Sequence, residues 1–354
     1  MIKCVVWDID NTLLTGVYLE SGADLPGADP GLTGVLRELS ARGILSAIAS
    51  RNPRAAADYV QQLTGADFAA VECSWGSKAD AIARIAAELS LAPDAIAFVD
   101  DDMLERAEVA AALPDVLVLT PEEAAEAPGW PEFSPAVITT EARRRSQLYA
   151  DRRRRQAAAS EFGGSRDDFL RHVGTQLTIA PAVPDDLPRL HELSVRTHQL
   201  NSAGEAVIQP DLARLLASPA DTVITVRLAD DFGDDGLVGA AIMTGNGRNS
   251  GPDVRVPAQA LVATVPLIMM SCRALGRGAL DALLAWLCRS AAADGAAELQ
   301  VPCLVTERNV PMRLALAAAG LRAEAGSVAP DGRAVFARPL TGELPGLPDW
   351  VTVK

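Results

Sequence analysis

An alternation in the first ~120 residues constrains this chain most. Short apolar runs take turns with stretches of helical spacing. Lys3–Trp7, Ile44–Ala49, Phe68–Cys73, Ile96–Val99 and Val116–Leu119 read as strands. Gly31–Arg42, Arg54–Leu63, Lys78–Leu89 and Leu104–Leu113 read as the helices between them. Strands separated by helices of this length predict a doubly wound parallel sheet, with helices on both faces. Polar residues gather just after the strands. In such sheets the site lies outside the strands' carboxyl ends.

The remainder reads differently. A 354-residue chain holds two domains at ~100–200 residues each. We expect the first over 1–125, a connector over 126–175 and a second domain over 176–354. The connector opens rich in Pro, Glu and Ala. It then carries Arg143-Arg144-Arg145 and Arg152–Arg155 inside an expected helix from Thr140 to Phe162. That helix reads as a solvated linker, or else as a basic landing strip for an acidic partner. Beyond it, strands at Leu177–Ile179, Thr222–Leu228, Leu237–Met243, Leu261–Met270 and Glu298–Cys303 are grouped between helices at Asp185–Val195, Arg273–Ala293 and Val310–Ala319. Such grouping predicts an α+β domain. Thr244–Pro257 reads as a polar loop.

Composition narrows the function. The net charge of −14 argues against general nucleic-acid binding, which needs a basic face. No apolar run approaches the ~20 residues of a membrane helix. Asp8 arrives too early for a signal-peptide core, and five widely spaced cysteines form no zinc or disulfide pattern. A cytoplasmic protein is expected. Lysine occurs only at Lys3, Lys78 and Lys354 among 32 basic residues. A compact point charge where arginine is otherwise used marks Lys78.

Asp8-Ile9-Asp10-Asn11-Thr12 ends the first strand, and residues i and i+2 share a face. Two close carboxylates call for a divalent cation or a shared proton. Asp100 and Asp101 end the fourth strand, which in a doubly wound sheet can lie beside the first. Magnesium is the natural occupant of such a cluster. Ser50-Arg51-Asn52 follows the second strand, where a hydroxyl and backbone N–H groups can hold phosphate. Lys78 opens the third helix.

These four motifs, in this order, resemble the haloacid-dehalogenase (HAD) superfamily of phosphotransferases over about residues 1–120. The resemblance implies that Asp8 attacks phosphorus and that Asp10 serves as acid and then base. It implies that magnesium binds the Asp8 carboxylate, the Asp10 carbonyl and Asp101, with Asp100 in support. Ser50, Arg51, Asn52 and Lys78 would then hold the phosphate. Metal and lysine together meet the charge demand of in-line phosphoryl transfer.

In the second domain, Arg273-x-x-Gly276-x-Gly278 lies between a strand and a long helix. It resembles the pyrophosphate loop of the GNAT acetyltransferase fold, in which glycines let the backbone approach a phosphate. Arg273, Gly276, Arg277, Gly278 and Asn309 are the candidate phosphopantetheine-binding residues. Cys272 precedes the helix, a setting that favours a nucleophilic thiolate, although a small buried hydrophobe is the alternative. Cys4, Cys73, Cys288 and Cys303 read as small hydrophobes. His198 is a base for a thiol or an ordinary surface or capping residue. His172 and His191 read as structural.

The combination resembles the FkbH-like family, a HAD domain of subfamily IIIC followed by a GNAT-like domain. The stretches Cys4–Leu13, Ile48–Asn52, Trp75–Lys78, Phe98–Asp102, Glu105-Arg106, Arg143–Arg145, Arg196–Asn201 and Met270–Arg273 carry the resemblance. It implies a glyceryl transferase/phosphatase. Such an enzyme dephosphorylates 1,3-bisphosphoglycerate, a glycolytic acyl phosphate. It loads the glyceryl group, through a thioester on Cys272, onto the phosphopantetheine thiol of an acyl carrier protein. The product is a polyketide unit of the methoxymalonyl type. Leu14-Thr15-Gly16-Val17 and Asp102-Met103 depart from the family's usual Trp-x-Gly-Val and Asn-Pro. An alternative reading is a magnesium-dependent small-molecule phosphatase fused to a coenzyme A-dependent N-acetyltransferase. Another is a carrier-protein binding module with a vestigial site.

Overall fold

The structure is a computed structural model and describes residues 1–21, 24–135, 138–197, 199–244, 262–307, 309–323 and 328–354. His198, Arg308 and all of the expected polar loop after Thr244 lie outside the described residues. The chain forms two compact units, Met1–Arg154 and Arg155–Lys354.

In the first unit the elements run β1 (Cys4–Trp7), α1 (Pro30–Ala41), β2 (Leu45–Ser50), α2 (Arg54–Thr64), β3 (Phe68–Cys73), α3 (Lys78–Leu89), β4 (Ile96–Val99), α4 (Met103–Ala112), β5 (Leu117–Leu119) and α5 (Pro121–Glu126). All five strands are parallel, in the order β3-β2-β1-β4-β5. β1, β2 and β4 are buried along their whole length, as a sheet covered on both faces requires. Alternate side chains divide the core. Val5, Trp7 and Ile48 pack with Leu36 and Val60, whereas Cys4, Val6 and Ala47 pack with Ile82, Ile85 and Val109. Register sets the site: Trp7 lies opposite Ile48 and Val99, so Asp8, Ser50 and Asp100 emerge at one edge.

Residues 126–154 are part of this unit rather than a free connector. Ala127, Phe133, Ala142, Leu148 and Tyr149 are buried. The expected single helix breaks at Arg144 into α6 (Thr140–Arg143) and α7 (Arg145–Glu161). The arginine run is partly engaged within the protein, although Arg143 and Arg144 are exposed. Arg145 is buried and donates to the Gly43 carbonyl, Arg154 pairs with Asp151, and Arg155 is buried against Asp230.

The second unit continues with α8 (Arg166–His172), β6 (Gln176–Pro181), α9 (Leu187–Arg196), α10 (Gln209–Ala217), β7 (Asp221–Asp230), β8 (Gly233–Thr244), β9 (Val262–Met270), α11 (Ala279–Ala293), β10 (Glu298–Leu304), α12 (Val310–Ala318), β11 (Arg322–Ala323), β12 (Arg333–Pro339) and β13 (Thr352–Val353). Its sheet has the order β11-β12-β10-β9-β8-β7-β6-β13. β6 to β9 form an antiparallel meander, and β9 and β10 are parallel. Leu190, Leu193 and Leu212 pack on one face with Leu237 and Ile242. Leu283, Leu287, Met312 and Leu316 join the other core, with Val226 and Val265. This is a mixed sheet with helices on both faces, an α+β unit.

β9 and β10 pair only from Val262–Thr264 against Glu298–Gln300. Beyond that point the chain itself fills the gap. Ser202 N donates to the Ile268 carbonyl (2.9 Å), Met270 N to the Leu200 carbonyl (2.8 Å) and Leu304 N to the Ser202 carbonyl (2.8 Å). Among the described residues no helix is long and apolar enough to cross a membrane.

Candidate active site

The site of the first unit is assembled at the carboxyl ends of β1, β2 and β4. Asp8 N donates to the Val99 carbonyl (2.9 Å), which locks the start of the loop after β1 onto β4. Residues Ile9–Leu13 then form a wide helical turn that Asp10 and Asn11 break, with Asn11 at φ 48°. Asn tolerates that left-handed geometry better than most residues. The chain leaves on an excursion that closes through a bridge between Leu14 and Ala28.

Lys78 Nζ lies 2.9 Å from Asp8 Oδ1 and also ion-pairs with Asp100. All three side chains are buried. Asp8, Asp100 and Asp101 can each bring an oxygen within 4.8 Å of the others. Three carboxylates against one ammonium leave two negative charges, which a divalent cation balances. Oxygen donors of this kind suit magnesium. Burial, with Asp100 adding and Lys78 opposing, pushes the Asp8 carboxyl up to about 6. Burial likewise raises Asp100, and the two neighbouring carboxylates raise Lys78 against its own desolvation.

Asp10 is held differently. Its Oδ1 accepts from Tyr18 N (2.9 Å) and its Oδ2 from Asn52 Nδ2 (2.9 Å). Asn52 Nδ2 also donates to Ser50 Oγ (3.1 Å), so one buried amide ties Asp10 to Ser50. Asn52 Oδ1 and Thr12 Oγ1 are buried without a hydrogen-bond partner. Such orphaned atoms are costly and point to a ligand position.

Arg51 departs from the expectation of a free phosphate ligand. Its Nη1 pairs with Glu105 Oε1 (2.7 Å), and its Nε donates to the Gly76 carbonyl (3.3 Å). Arg106 Nη1 donates to both the Asp100 and Asp101 carbonyls (2.7 Å each), clamping the loop after β4. Glu105-Arg106 carries the family resemblance in sequence, but its part in the geometry was not legible there.

The second unit corrects several expectations. Arg277 is buried and paired with Asp230 and Asp235, and so is not a ligand in waiting. Arg273 is also buried, with its guanidinium near the Asp235 carbonyl. Asn309 is 1% exposed. Its amide donates to the Leu304 carbonyl and its Oδ1 accepts from Thr306 N, so it shapes a turn. Gly276 (φ 71°) and Gly278 (φ 74°) do need glycine. A Cβ there would collide with the guanidinium of Arg166 and with Trp350, which already cover the loop. Cys272 is half-buried and opens a short 3-10 turn, Cys272–Ala274, not the long helix. α11 starts at Ala279, so Cys272 does not stand at the start of that helix as expected. A small pocket beside this turn is lined by Met270, Ala274, Gly276, Asp281 and Pro311.

No protein-family model and no curated protein matches the chain. Among solved structures, the first unit is similar to the N-terminal part of a Bacteroides fragilis protein that contains a phosphatase domain complexed with Mg. Identity is 27%, over 38% of this chain and 39% of that one, with a TM-score of 0.32. It is also similar to 3-deoxy-D-manno-octulosonate 8-phosphate phosphatase from Moraxella catarrhalis, at 20% identity over 32% and 64% of the two chains (TM-score 0.27). The second unit is similar to the ribosomal-protein-S18-alanine N-acetyltransferase of Escherichia coli, at 16% identity over 47% and 96% (TM-score 0.34). The chain thus spans about two fifths of the first of these structures.

Proposed function

We propose that the first unit is a magnesium-dependent phosphatase of the HAD type and that the second is an acyltransferase unit. The observation that carries this is the convergence of Asp8, Asp100, Asp101 and Lys78 at one sheet edge. Asp8 is the nucleophile: its carboxylate oxygen bonds to phosphorus as the bond to the leaving oxygen breaks. Asp10 gives that oxygen a proton and takes one back from the water that hydrolyses the aspartyl-phosphate. Lys78 stabilises charge on the phosphoryl oxygens, with Ser50 as a neutral donor. Magnesium, when bound by Asp8, Asp101 and the Asp10 carbonyl, supplies electrostatic stabilisation of the transferring group.

The finer reading is a glyceryl transferase/phosphatase acting with an acyl carrier protein. Its support is the set of motifs shared with the FkbH-like family, among them Met270–Arg273, with Cys272 two residues after the end of β9. The Cys272 thiolate would displace the acyl phosphate of 1,3-bisphosphoglycerate at carbon, releasing phosphate and forming a thioester. The carrier's phosphopantetheine thiol would take the acyl group at nearly equal thioester energy, and hydrolysis of the remaining phosphate monoester at the Asp8 site, before or after that transfer, would give the glyceryl product. Intact-protein mass spectrometry tests both steps. A glyceryl adduct that passes to the carrier and is absent in Cys272→Ala supports the reading. Carrier loading that survives Cys272→Ala removes Cys272. The second reading, a phosphatase joined to a coenzyme A-dependent N-acetyltransferase, is favoured by the glycine loop before α11. It predicts acetyl-coenzyme A turnover with an amine.

A further inference from the structure

Lys78 reaches both Asp8 and Asp100 and holds their carboxylates. Asp101, the third oxygen donor of the cluster, is exposed, and no side chain among the described residues fixes it. Its place is set through the backbone instead. Arg106 Nη1 donates to the Asp100 and Asp101 carbonyls together, at 2.7 Å each. Two consecutive carbonyls drawn to one nitrogen fix the turn of both peptides. The same loop is tied once more where Asp102 N donates to Asp100 Oδ1 (2.8 Å).

Charge does not explain a guanidinium at this place. Arg106 is the fourth residue of α4, near the end at which the helix dipole disfavours a cation. It also stands behind a cluster suited to a divalent cation, which a nearby positive charge repels. What it supplies is geometry. The turn that carries it is itself held. Glu105 Oε1, on the preceding residue, pairs with Arg51 Nη1 (2.7 Å), and Arg51 Nε donates to the Gly76 carbonyl (3.3 Å) two residues before Lys78. Consecutive residues of one helical turn thus reach the loops after β2 and β4, and Arg51 carries the link on to the loop after β3.

We infer that Arg106 is a positioning residue: it presets the Asp100–Asp101 loop so that magnesium meets Asp101 already in place, and the Arg51–Glu105 pair holds Arg106 to that task. The inference rests on the reading of Asp8, Asp100 and Asp101 as a magnesium site. Groups behind metal ligands set affinity in this way, because a ligand already oriented loses less freedom on binding. No step of the chemistry passes through Arg106. Its loss is therefore expected in magnesium affinity and not in turnover once the metal is saturating.

The test is calorimetric titration of magnesium into the full chain without substrate. Arg106→Ala is expected to weaken binding about tenfold. Arg106→Lys, whose ammonium keeps a donor for the carbonyls, is expected to recover most of that loss. Glu105→Gln is expected to weaken binding about threefold, as for a partly exposed ion pair. In steady-state phosphate release, Arg106→Ala is expected to need about tenfold more magnesium for its half-maximal rate, with kcat at saturating magnesium within about twofold of wild type. Magnesium affinity unchanged in Arg106→Ala, or tighter as removal of a plain positive charge predicts, overturns the inference. If Arg106→Ala does not fold, Glu105→Gln decides, and an unchanged affinity there overturns it. A wild-type chain that binds no magnesium overturns the metal site and the phosphatase reading with it. That result is distinct from wild-type binding that Arg106→Ala leaves unmoved, which removes the role of Arg106 alone.

Discussion

The two units handle buried charge in opposite ways. In the first, Asp8, Asp100 and Lys78 are buried together and come out negative, with Asp101 at the edge. In the second, Arg155 and Arg277 are buried against Asp230 and Asp235, two cations against two anions. Burying ions costs several kcal/mol each unless partners compensate. A balanced cluster is therefore architecture. An unbalanced one is a place prepared for a charged ligand.

The largest effect expected from this contrast is on chemistry. Asp8→Asn should lower magnesium-dependent phosphate release by about 10³-fold or more while the chain stays folded. Retention of activity would break the comparison at once. The counterpart in the second unit should act on stability. Arg277→Ala leaves Asp230 and Asp235 short of a cation, and urea denaturation should report a loss of about 3–5 kcal/mol. Next comes Asn52→Ala, which frees Asp10 Oδ2 from its donor. It should reduce kcat about 10- to 100-fold, with KM changed less, and steady-state kinetics would read that split.

The smallest effect is on pH. Burial raises Asp8 to about 6, so the folded chain holds this proton more tightly than the unfolded chain does. As pH rises from about 4 through 6 in the absence of metal, ionising Asp8 removes stability. Magnesium needs the ionised form, so its apparent affinity should fall about tenfold between pH 7 and pH 5. Thermal-shift titrations with magnesium at the two pH values would check this. An affinity that is flat across the range would place the metal away from Asp8.

Much of the first unit was legible because each signal was local. β3, β4 and α3 begin and end where the apolar runs and helical spacing do, at Phe68–Cys73, Ile96–Val99 and Lys78–Leu89. The pairing of β1 with β4, which brings Asp100 to Asp8, follows from the winding of a parallel sheet. The links of Arg51 to Glu105 and of Arg106 to the Asp100 and Asp101 carbonyls were not legible. They join separate loops through side-chain reach, which carries no periodicity. In the second unit, Arg277 and Asn309 misled because a polar residue beside a glycine loop looks the same whether or not it is already paired. Only the positions of Asp230, Asp235 and Leu304 decide that. β12 and α10 were also missed. β12 (Arg333–Pro339) mixes arginine with alanine and ends in proline, and α10 (Gln209–Ala217) is a short helix on the sheet's flank.

The central claim is that Asp8 accepts a phosphoryl group and Asp10 serves its release. The most direct measurement uses the Asp10→Asn chain, in which hydrolysis of the aspartyl-phosphate is slowed, incubated with magnesium and acetyl phosphate. Intact-mass and peptide analysis should find one added phosphoryl group, labile to hydroxylamine, on the peptide containing Asp8, and none without magnesium. A chain that gains no such group, or gains it on another residue, contradicts the account.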